Sequence, residues 1–372
     1  MSETYRIAVS GYYGCGNAGD EAVLAGIRAS FARVAGDEAQ IIALSQNPDE
    51  TTRLHGIPAH YRMSYKTLEA TLKETDILLS GGGSLLQDTT SIRSLLYYLW
   101  VCRLAMRRDI PVVFYAQGMG PLHRWLSRRL VQWTANRCAY ITVRDPASAE
   151  LLKEIGVNTP NLEITADPAF ALNPAPAAQI DGLMAQEGLP TDRPLLGVAL
   201  RAWGQDREES AKAYSALLEA LQTKTGRSIV LLPMHVPDDV EFGAAVLRHV
   251  ANPAAFLTIR NAYPPETLLG LVARLEGVVA MRLHTLIFAA RVGVPAFALS
   301  YDPKVQALMQ GLGMEDFCAE WRGFDAEAVA TRVAAMLAER EKHVRHLQAL
   351  APQLEVKALR SAERVMEILR RK

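Results

Sequence analysis

Residues 5–26 read YRIAVSGYYGCGNAGDEAVLAG. An apolar run, a glycine-rich turn and a helical pattern follow one another here, which predicts a strand, a loop and a helix. The same alternation recurs through the first half of the chain, with further strand patterns at 40–45, 76–82, 111–118, 139–145 and 162–168. Because parallel strands are joined by helical crossovers, this alternation predicts a parallel sheet with helices on both faces.

A stretch rich in proline and alanine, residues 173–193, interrupts the alternation, and we interpret it as a linker. Strand patterns resume beyond it at 194–203, 228–236, 255–261, 277–283 and 295–302. The sequence therefore predicts an α/β protein of two doubly wound, Rossmann-like domains, residues 1–172 and 194–345, that face a cleft. We expect residues 346–372 to form a C-terminal helix that packs back on the first domain, and the helical pattern to break near Pro352.

The composition is that of a soluble globular protein, with 49% hydrophobic and 22% charged residues. Lysine plus arginine and aspartate plus glutamate both number 40, so the balance of charge does not favour nucleic acid as a partner. Four scattered cysteines and an N-terminus without a secretory pattern are typical of a protein of the reducing cytoplasm. We interpret the apolar run 94–106 as a buried helix, with contact to a membrane surface as the alternative. We interpret the basic run 124–130 as a solvated helix face, with a ligand-binding surface as the alternative.

The first glycine-rich loop, GCGNAG at 14–19, has the spacing of a dinucleotide fingerprint. Gly14 and Gly16 permit positive φ and a close approach of a ligand to the backbone. A nicotinamide dinucleotide is disfavoured, because the second strand ends without a ribose-binding acid and because Asp20 and Glu21 would repel a pyrophosphate. The alternative is a structural turn in which Asp20 caps the helix and Asn17 is left-handed.

Two more glycine-rich loops follow strand patterns, LLSGGGSLLQD at 78–88 and AQGMGP at 116–121. The first contains Gly82 and Gly83 and lacks the lysine and spacing of a phosphate-binding P-loop, so an ATPase is disfavoured. The second begins near Gln117. Three such loops at one sheet edge predict a broad binding cleft.

Charged and imidazole side chains follow the remaining strand patterns: Arg144, Asp167, Arg201, His235, Arg282, His284 and Lys304. Cations that converge on one edge are suited to a small, highly charged anion. His284 begins a helix after a strand, where an imidazole can transfer protons, although such a histidine is also often structural. No metal-binding motif is recognised, so no metal is expected.

Taken in order, the motifs SGYYGCGNAGDEAVL, LLSGGGSLLQD, AQGMGP, VRDPAS, ADPAF, LRAW, MRLHTLIFAARVGVP and SYDPKV resemble those of the polysaccharide pyruvyl transferases, in particular the bacterial CsaB-type branch. The resemblance implies a GT-B-like fold and phosphoenolpyruvate as co-substrate, without a further cofactor. It also implies that pyruvate is installed as a ketal across two hydroxyls of a sugar, N-acetylmannosamine in a lipid-linked or polymeric cell-wall precursor that anchors surface-layer proteins. Such acceptors would bring a cytoplasmic enzyme to the inner face of the cell membrane.

By the same resemblance, the donor-binding residues are Arg144, Arg201, Arg282, His284 and Lys304. We expect His284 to transfer a proton, and Asp20 or Glu21 to accept one from an acceptor hydroxyl. The remaining expected substrate-binding residues are Gly14, Gly16, Asn17, Gly82, Gly83, Gln117 and Asp167. Two other functions stay open at this point: a GT-B glycosyltransferase that uses a nucleotide sugar, and a non-catalytic polymer-binding protein.

Overall fold

The computed structural model describes residues 4–89, 91–202 and 206–371. Contacts within the chain divide it into two compact units. The first unit contains Asp20–Leu172 with the segment up to Cys15 and the segment from Leu354 onward. The second contains Asn173–Gln353 and also Gly16–Gly19, the tip of the first glycine-rich loop.

The first unit is built on a parallel seven-stranded sheet in the order β3-β2-β1-β4-β5-β6-β7. Its strands are β1 Tyr5–Tyr13, β2 Ala39–Ser45, β3 Ala59–Tyr61, β4 Ile77–Gly81, β5 Val112–Gln117, β6 Tyr140–Val143 and β7 Leu162–Ile164. The reversal of strand order beside β1 is the topological switch point of a doubly wound fold. The central strands are buried on both faces, which explains why they read as continuous apolar runs.

Helices cover both faces of this sheet, namely α1 Ala18–Val34, α2 Pro48–His55, α3 Tyr65–Lys73, α4 Ile92–Met106, α5 Trp125–Ala135 and α6 Pro146–Glu154. One core cluster combines Ile7 of β1 and Leu24 of α1 with Val365 and Met366 from the end of the chain. The C-terminal segment is therefore an integral part of the first hydrophobic core.

The second unit repeats the design with a six-stranded sheet in the order β10-β9-β8-β11-β12-β13. The strands are β8 Leu195–Ala199, β9 Ser228–Leu231, β10 Leu257–Thr258, β11 Gly277–Ala280, β12 Ala296–Ser300 and β13 Cys318–Glu320. The helices are α7 Ala177–Gln186, α8 Arg207–Thr225, α9 Asp238–Leu247, α10 Pro265–Val272, α11 Leu283–Val292, α12 Pro303–Gly311 and α13 Ala326–Ala338. The last helix, α14 Arg340–Leu369, passes from this unit into the first.

Two features differ from the sequence-based expectations. Residues 173–193, interpreted as a linker, contain the helix α7. The buried side chain of Ile180 on α7 packs directly on Gly270 of α10, in the space that a larger side chain at Gly270 would need. The expected break near Pro352 is absent, because α14 continues through this proline and the helical run is interrupted at Glu339 instead. A proline removes one backbone hydrogen bond, and the surrounding turns retain theirs.

Within the part of the chain that the structure describes, none of the helices combines the length and the apolar character needed to cross a bilayer.

Candidate functional site

The loops after the strands lie at the carboxyl edge of each sheet, where doubly wound folds bind their ligands. Three of these loops carry an Asp-Pro pair: Asp145–Pro146, Asp167–Pro168 and Asp302–Pro303. Each aspartate accepts a hydrogen bond from a backbone N–H two or three residues later, on Ser148 at 2.7 Å, Ala169 at 3.0 Å and Lys304 at 3.1 Å. These motif carboxylates therefore cap the helical segments that follow, and the prolines fit the first position of those segments.

Glu21 is a buried residue of α1 that organises the loop after β1. Its Oε1 accepts the N–H of Gly14 at 2.8 Å, and its Oε2 lies 2.8 Å from Nε2 of His55. Both carboxylate oxygens are thus engaged inside the first unit. A general base needs an oxygen directed at the substrate hydroxyl. These contacts are those of a residue that fixes the loop, and the role of Glu21 as a proton acceptor stays a prediction.

Asp20, the neighbouring carboxylate, is half-buried beside the glycine loop that follows β4. A Cβ atom on Gly83 would lie only 3.1 Å from its Oδ1, and Gly82 and Gly83 both have positive φ, at 52° and 71°. A larger residue at Gly83 would crowd this carboxylate. Asp20 is therefore the better placed of the two acidic candidates to reach a ligand at this edge.

Arg144 forms a buried ion pair in the first unit. Its Nη1 donates to Oδ2 of Asp167 at 2.6 Å, and its Nη2 donates to Oγ of Ser84 at 3.0 Å. The two charged side chains are only 6% and 3% exposed. A Cβ atom on Gly118 would lie 2.7 Å from Nη2, so the guanidinium packs directly on this glycine. Arg144 thus joins the loops after β4, β5 and β7, and its charge is neutralised by Asp167.

Gln117 also lies below the surface rather than at it. Its Nε2 donates to the carbonyl oxygen and to Oγ of Ser80, both at 2.9 Å, and the residue is fully buried. The side chain therefore ties β5 to β4. Its Oε1 is buried without a hydrogen-bond partner, and its role as a substrate ligand stays a prediction.

A cluster that the sequence did not reveal surrounds Arg62, just after the short strand β3. Its Nη1 donates to the hydroxyl of Tyr98 at 3.0 Å and to the carbonyl of Gly11 at 3.2 Å. The guanidinium lies 5.3 Å and 5.7 Å from the ring centroids of Tyr12 and Tyr97. Burial raises the pKa of the Tyr97 hydroxyl to about 12, so this hydroxyl stays protonated and donates to the Arg62 carbonyl at 2.8 Å.

In the second unit, the loop tip Gly16–Gly19 packs on the residues that follow β9. Asn17 pairs with His235 in an isolated antiparallel bridge, and the N–H of Ala18 donates to the Met234 carbonyl at 2.7 Å. Oδ1 of Asn17 accepts the N–H of Gly19 at 3.1 Å. Asn17 therefore caps α1, in place of the expected Asp20. Among the described residues, the non-glycine residues with positive φ are Asp109 and Ala116, so Asn17 is not left-handed.

His284, the second residue of α11, lies against the same loop tip. A Cβ atom on Gly19 would lie 2.4 Å from its Nδ1 and 3.0 Å from its Cγ. The absence of a side chain on Gly19 is what allows the imidazole to contact the loop backbone.

Arg282 belongs to a network that fixes the loop carrying His235. Its Nε donates to Oδ2 of Asp239 at 3.1 Å, and its Nη2 bonds to the other oxygen of that carboxylate. The same Oδ2 accepts the N–H groups of Met234 and His235, each at 3.0 Å. Asp239 was not singled out from the sequence, since its partner, Arg282, comes 43 residues later.

Two further cations lie at the ends of the strands that flank β11. Arg201 follows β8 and places its guanidinium 5.7 Å from the ring centroid of Tyr301. Nζ of Lys304 lies 3.2 Å from Oδ2 of Asp302, the cap of α12. The second sheet edge therefore combines Arg201, Arg282 and Lys304 with the two imidazoles, whereas Arg144 belongs to the first unit.

The fold is shared with enzymes of known structure. A UDP-N-acetylglucosamine 2-epimerase superposes with a TM-score of 0.67 at 12% identity, over 100% of this chain and 98% of that chain. The Neisseria meningitidis epimerase bound to UDP-GlcNAc gives 0.65 at 13% identity, over 99% and 100%. Anabaena Alr3699/HepE in complex with UDP gives 0.64 at 14% identity, also over 99% and 100%. The chain is thus an α/β protein of two Rossmann-type domains with a GT-B-like fold, which confirms the predicted fold class.

The family follows from the sequence itself, since residues 17–303 match the family described as polysaccharide pyruvyl transferase. The chain belongs to the polysaccharide pyruvyl transferase family. It is also 23% identical over 290 residues to the amylovoran biosynthesis protein AmsJ of Erwinia amylovora, a match that covers 72% of this chain and 66% of AmsJ. The chain thus spans slightly less than two thirds of that relative. The finer CsaB-type assignment stays a prediction.

Proposed function

We propose that this protein transfers pyruvate from phosphoenolpyruvate to a polysaccharide or its precursor, as a ketal across two hydroxyls of one sugar, with release of phosphate. The carboxyl edge of the second sheet carries the proposal. There His284 is held against the loop tip, with Arg201, Arg282 and Lys304 at the same edge.

The donor is a small molecule with two anionic groups, a phosphate and a carboxylate. Arg201 and Lys304 are assigned to these groups, because guanidinium and ammonium groups form strong charge-assisted hydrogen bonds with such oxygens. Asp239 accepts two hydrogen bonds from the Arg282 guanidinium and fixes its position, and we assign to Arg282 a supporting role beside the donor. Arg144, expected among the donor-binding residues, is left out of this set, because it is buried in an ion pair with Asp167 in the first unit.

The reaction needs a proton at the methylene carbon of phosphoenolpyruvate, which becomes the methyl group of the ketal. We assign this transfer to His284. One sugar hydroxyl adds to C2 and loses its proton, the C2–O bond to phosphate breaks, and the second hydroxyl closes the ring. Two hydroxyl protons are lost: one balances the proton added to the methylene carbon, and the other leaves with the phosphate.

The acceptor is assigned to the carboxyl edge of the first sheet. Asp20 is the proposed proton acceptor for a sugar hydroxyl. The exposed ring of Tyr12, beside the rigidly held Arg62, offers an apolar surface and polar groups to a sugar. The proposed acceptor is an N-acetylmannosamine unit of a cell-wall precursor, because the sequence motifs resemble those of the CsaB-type branch of the family.

The test is to incubate the purified chain with phosphoenolpyruvate and N-acetylmannosamine-containing acceptors, both lipid-linked and polymeric. We expect release of inorganic phosphate in step with a gain of one pyruvate ketal per acceptor by mass spectrometry. The His284→Gln variant should lose both products, and His249→Gln, which alters another second-unit histidine paired with Glu208, should retain them. Phosphate release without a ketal product, or no turnover with any of these acceptors, would contradict the proposal.

The rival function, a glycosyltransferase that uses a nucleotide sugar, shares this fold. A thermal-shift series separates the two, because a ligand that binds only the folded state raises the melting temperature. Stabilisation by phosphoenolpyruvate supports the proposal, and stabilisation by UDP or GDP sugars alone supports the rival. Turnover of phosphoenolpyruvate excludes a non-catalytic polymer-binding protein.

A further inference from the structure

The charge of this chain is distributed unevenly along the sequence. The net charge of the whole chain is +0. Residues 91–139, in contrast, contain eight arginines and one acidic residue, Asp109, so this segment carries a net charge of +7. It contains both α4 and α5 of the first unit. Four of these arginines lie on α4 and α5, and the other four lie within two residues of a helix end. Two of the eight, Arg108 and Arg128, are paired with Glu69 and Glu154, which lie outside this segment. The remaining excess of positive charge is therefore concentrated on and beside two helices.

The exposed positions of the two helices form one stripe on each. On α4 they are Arg93, Leu96, Trp100 and Arg103, followed by Arg107 at the helix end, and on α5 they are Trp125, Leu126, Arg129 and Trp133, followed by Arg137. The spacing of three or four residues places each set on one side of its helix. We call these ten residues the α4–α5 face.

The two stripes meet in a direct contact. The guanidinium of Arg103 lies 4.7 Å from the ring centroid of Trp133, and that of Arg137 lies 4.0 Å from it. The Trp133 ring therefore contacts one arginine of α4, Arg103, and one that follows α5, Arg137. The face is continuous, and its aromatic and basic groups are interleaved.

Large apolar side chains on this face are unusually exposed for a soluble surface. Trp125 is 74% exposed, and Leu96, Trp100, Leu126 and Trp133 are exposed as well. Three of the five tryptophans in the sequence lie on these two helices. Tryptophan with arginine is the composition of surfaces that lie in the headgroup region of a bilayer, where the ring enters the apolar boundary and the cation meets lipid phosphate.

The partners of the arginines on this face are not acidic: Arg129 donates to Gln132 and Arg137 to the Trp133 carbonyl. Among the described residues, no carboxylate lies within 4.0 Å of the guanidinium nitrogens of Arg93, Arg103, Arg107, Arg129 or Arg137. We propose that the α4–α5 face binds the surface of a membrane that contains anionic phospholipids. A second copy of this chain is a poorer partner, because a two-fold interface would bring two positive faces together.

The experiment is sedimentation of the full chain with vesicles. We expect binding to vesicles of phosphatidylglycerol and phosphatidylcholine in equal parts, little binding to phosphatidylcholine alone, and steep weakening with added salt. The double variant Arg93→Glu/Arg129→Glu should lower the partition coefficient at least tenfold, since each arginine near an anionic surface contributes about fivefold. Trp125→Ser/Leu126→Ser should also lower it, without loss of the charge.

Two controls are matched to these variants. Arg193→Glu/Arg345→Glu reverses two exposed arginines elsewhere, and Val356→Ser removes an apolar side chain that is 67% exposed. Both should bind the anionic vesicles like the unaltered chain. Equal binding to the two kinds of vesicle, no binding by the unaltered chain, or equal losses in the control variants would overturn the proposal. The proposal would also be overturned if the chain bound duplex DNA and not the vesicles. The same holds if light scattering showed a dimer that the Trp125→Ser/Leu126→Ser variant dissociates.

Discussion

Gly19 and His284 are in direct contact: a methyl group added at Gly19 would lie 2.4 Å from Nδ1 of the imidazole. The glycine is the second residue of α1, and the histidine is the second residue of α11, the helix after β11. The last glycine of the GCGNAG motif is therefore needed for the position of the proposed proton-transfer group.

Gly19→Ala should impair turnover without unfolding the protein. The added methyl group must displace the imidazole, and a shift of about 1 Å in a reacting group costs about a hundredfold in rate. We expect kcat for ketal formation to fall by about that factor. Gly182→Ala is the matched control, because a Cβ atom there meets nothing within 4 Å. Equal kinetics in the two variants would show that this contact does not position His284.

His284→Gln should remove proton transfer while the binding of the donor persists. General acid–base catalysis contributes about a hundredfold to ten-thousandfold in rate. We expect kcat to fall within this range, and the Kd of phosphoenolpyruvate, measured by calorimetry, to change only a few-fold. A variant with the kcat of the unaltered chain would remove His284 from the chemistry, and a large rise in Kd alone would make it a donor ligand instead.

Much of the fold could be predicted from the sequence because its central strands are buried on both faces. β1, β4 and β5 and their counterparts β8, β11 and β12 are largely apolar, and glycine or a charged residue follows each within two residues. The edge strands β3 and β13 were missed, because each has three residues and little burial. Helices α2 and α3 were missed too; they are short and polar, and are defined largely by the caps Asn47 and Ser64.

The site was predicted less completely, because residue type and position do not reveal a side chain's partner. Glu21 and Asp20 are adjacent in the sequence, and the contact of Glu21 with His55 on α2 separates their roles. Arg144 reads as a free cation at a strand end until Asp167 is seen to neutralise it. Such pairs depend on tertiary contacts between segments 23 or more residues apart.

Asp20→Asn and Glu21→Gln should have different effects. Glu21→Gln weakens buried bonds to Gly14 and His55, and a hydrogen bond to a charged group contributes about 1.5–3 kcal/mol. We expect its free energy of unfolding to fall by about 2 kcal/mol in urea denaturation. Asp20→Asn should keep its stability within about 0.5 kcal/mol, as is usual for partly exposed sites, and lose kcat. The reverse pattern would make Glu21 the base.

Arg144→Met should destabilise the first unit. Removal of one partner leaves the Asp167 carboxylate buried, which costs about 3–5 kcal/mol in comparable pairs. The control Arg128→Met breaks an exposed pair with Glu154 and should cost about 0–1 kcal/mol. Because the Arg144 guanidinium is buried against Asp167 and Ser84 in the first unit, a folded Arg144→Met variant should bind phosphoenolpyruvate nearly as well as the unaltered chain. A selective loss of donor affinity would return Arg144 to the donor site.

Glu163→Gln should change how stability depends on pH. Burial of Glu163 opposes ionisation, but hydrogen bonds from Arg364 and Arg360 on α14 outweigh it and hold the pKa of this carboxyl below its ordinary value of 4.5. A depressed folded-state pKa stabilises the fold above the unfolded-state pKa, and this contribution is lost as the pH falls through the folded-state value. We expect the variant to be less stable by about 1 kcal/mol near neutral pH, with the difference vanishing as the pH falls through the folded-state pKa of Glu163. Urea denaturation at a series of pH values measures this difference in stability, and Glu154→Gln serves as an exposed control. A difference that stays constant with pH would show that the ion pairs of Glu163 do not help to hold α14 on the first unit.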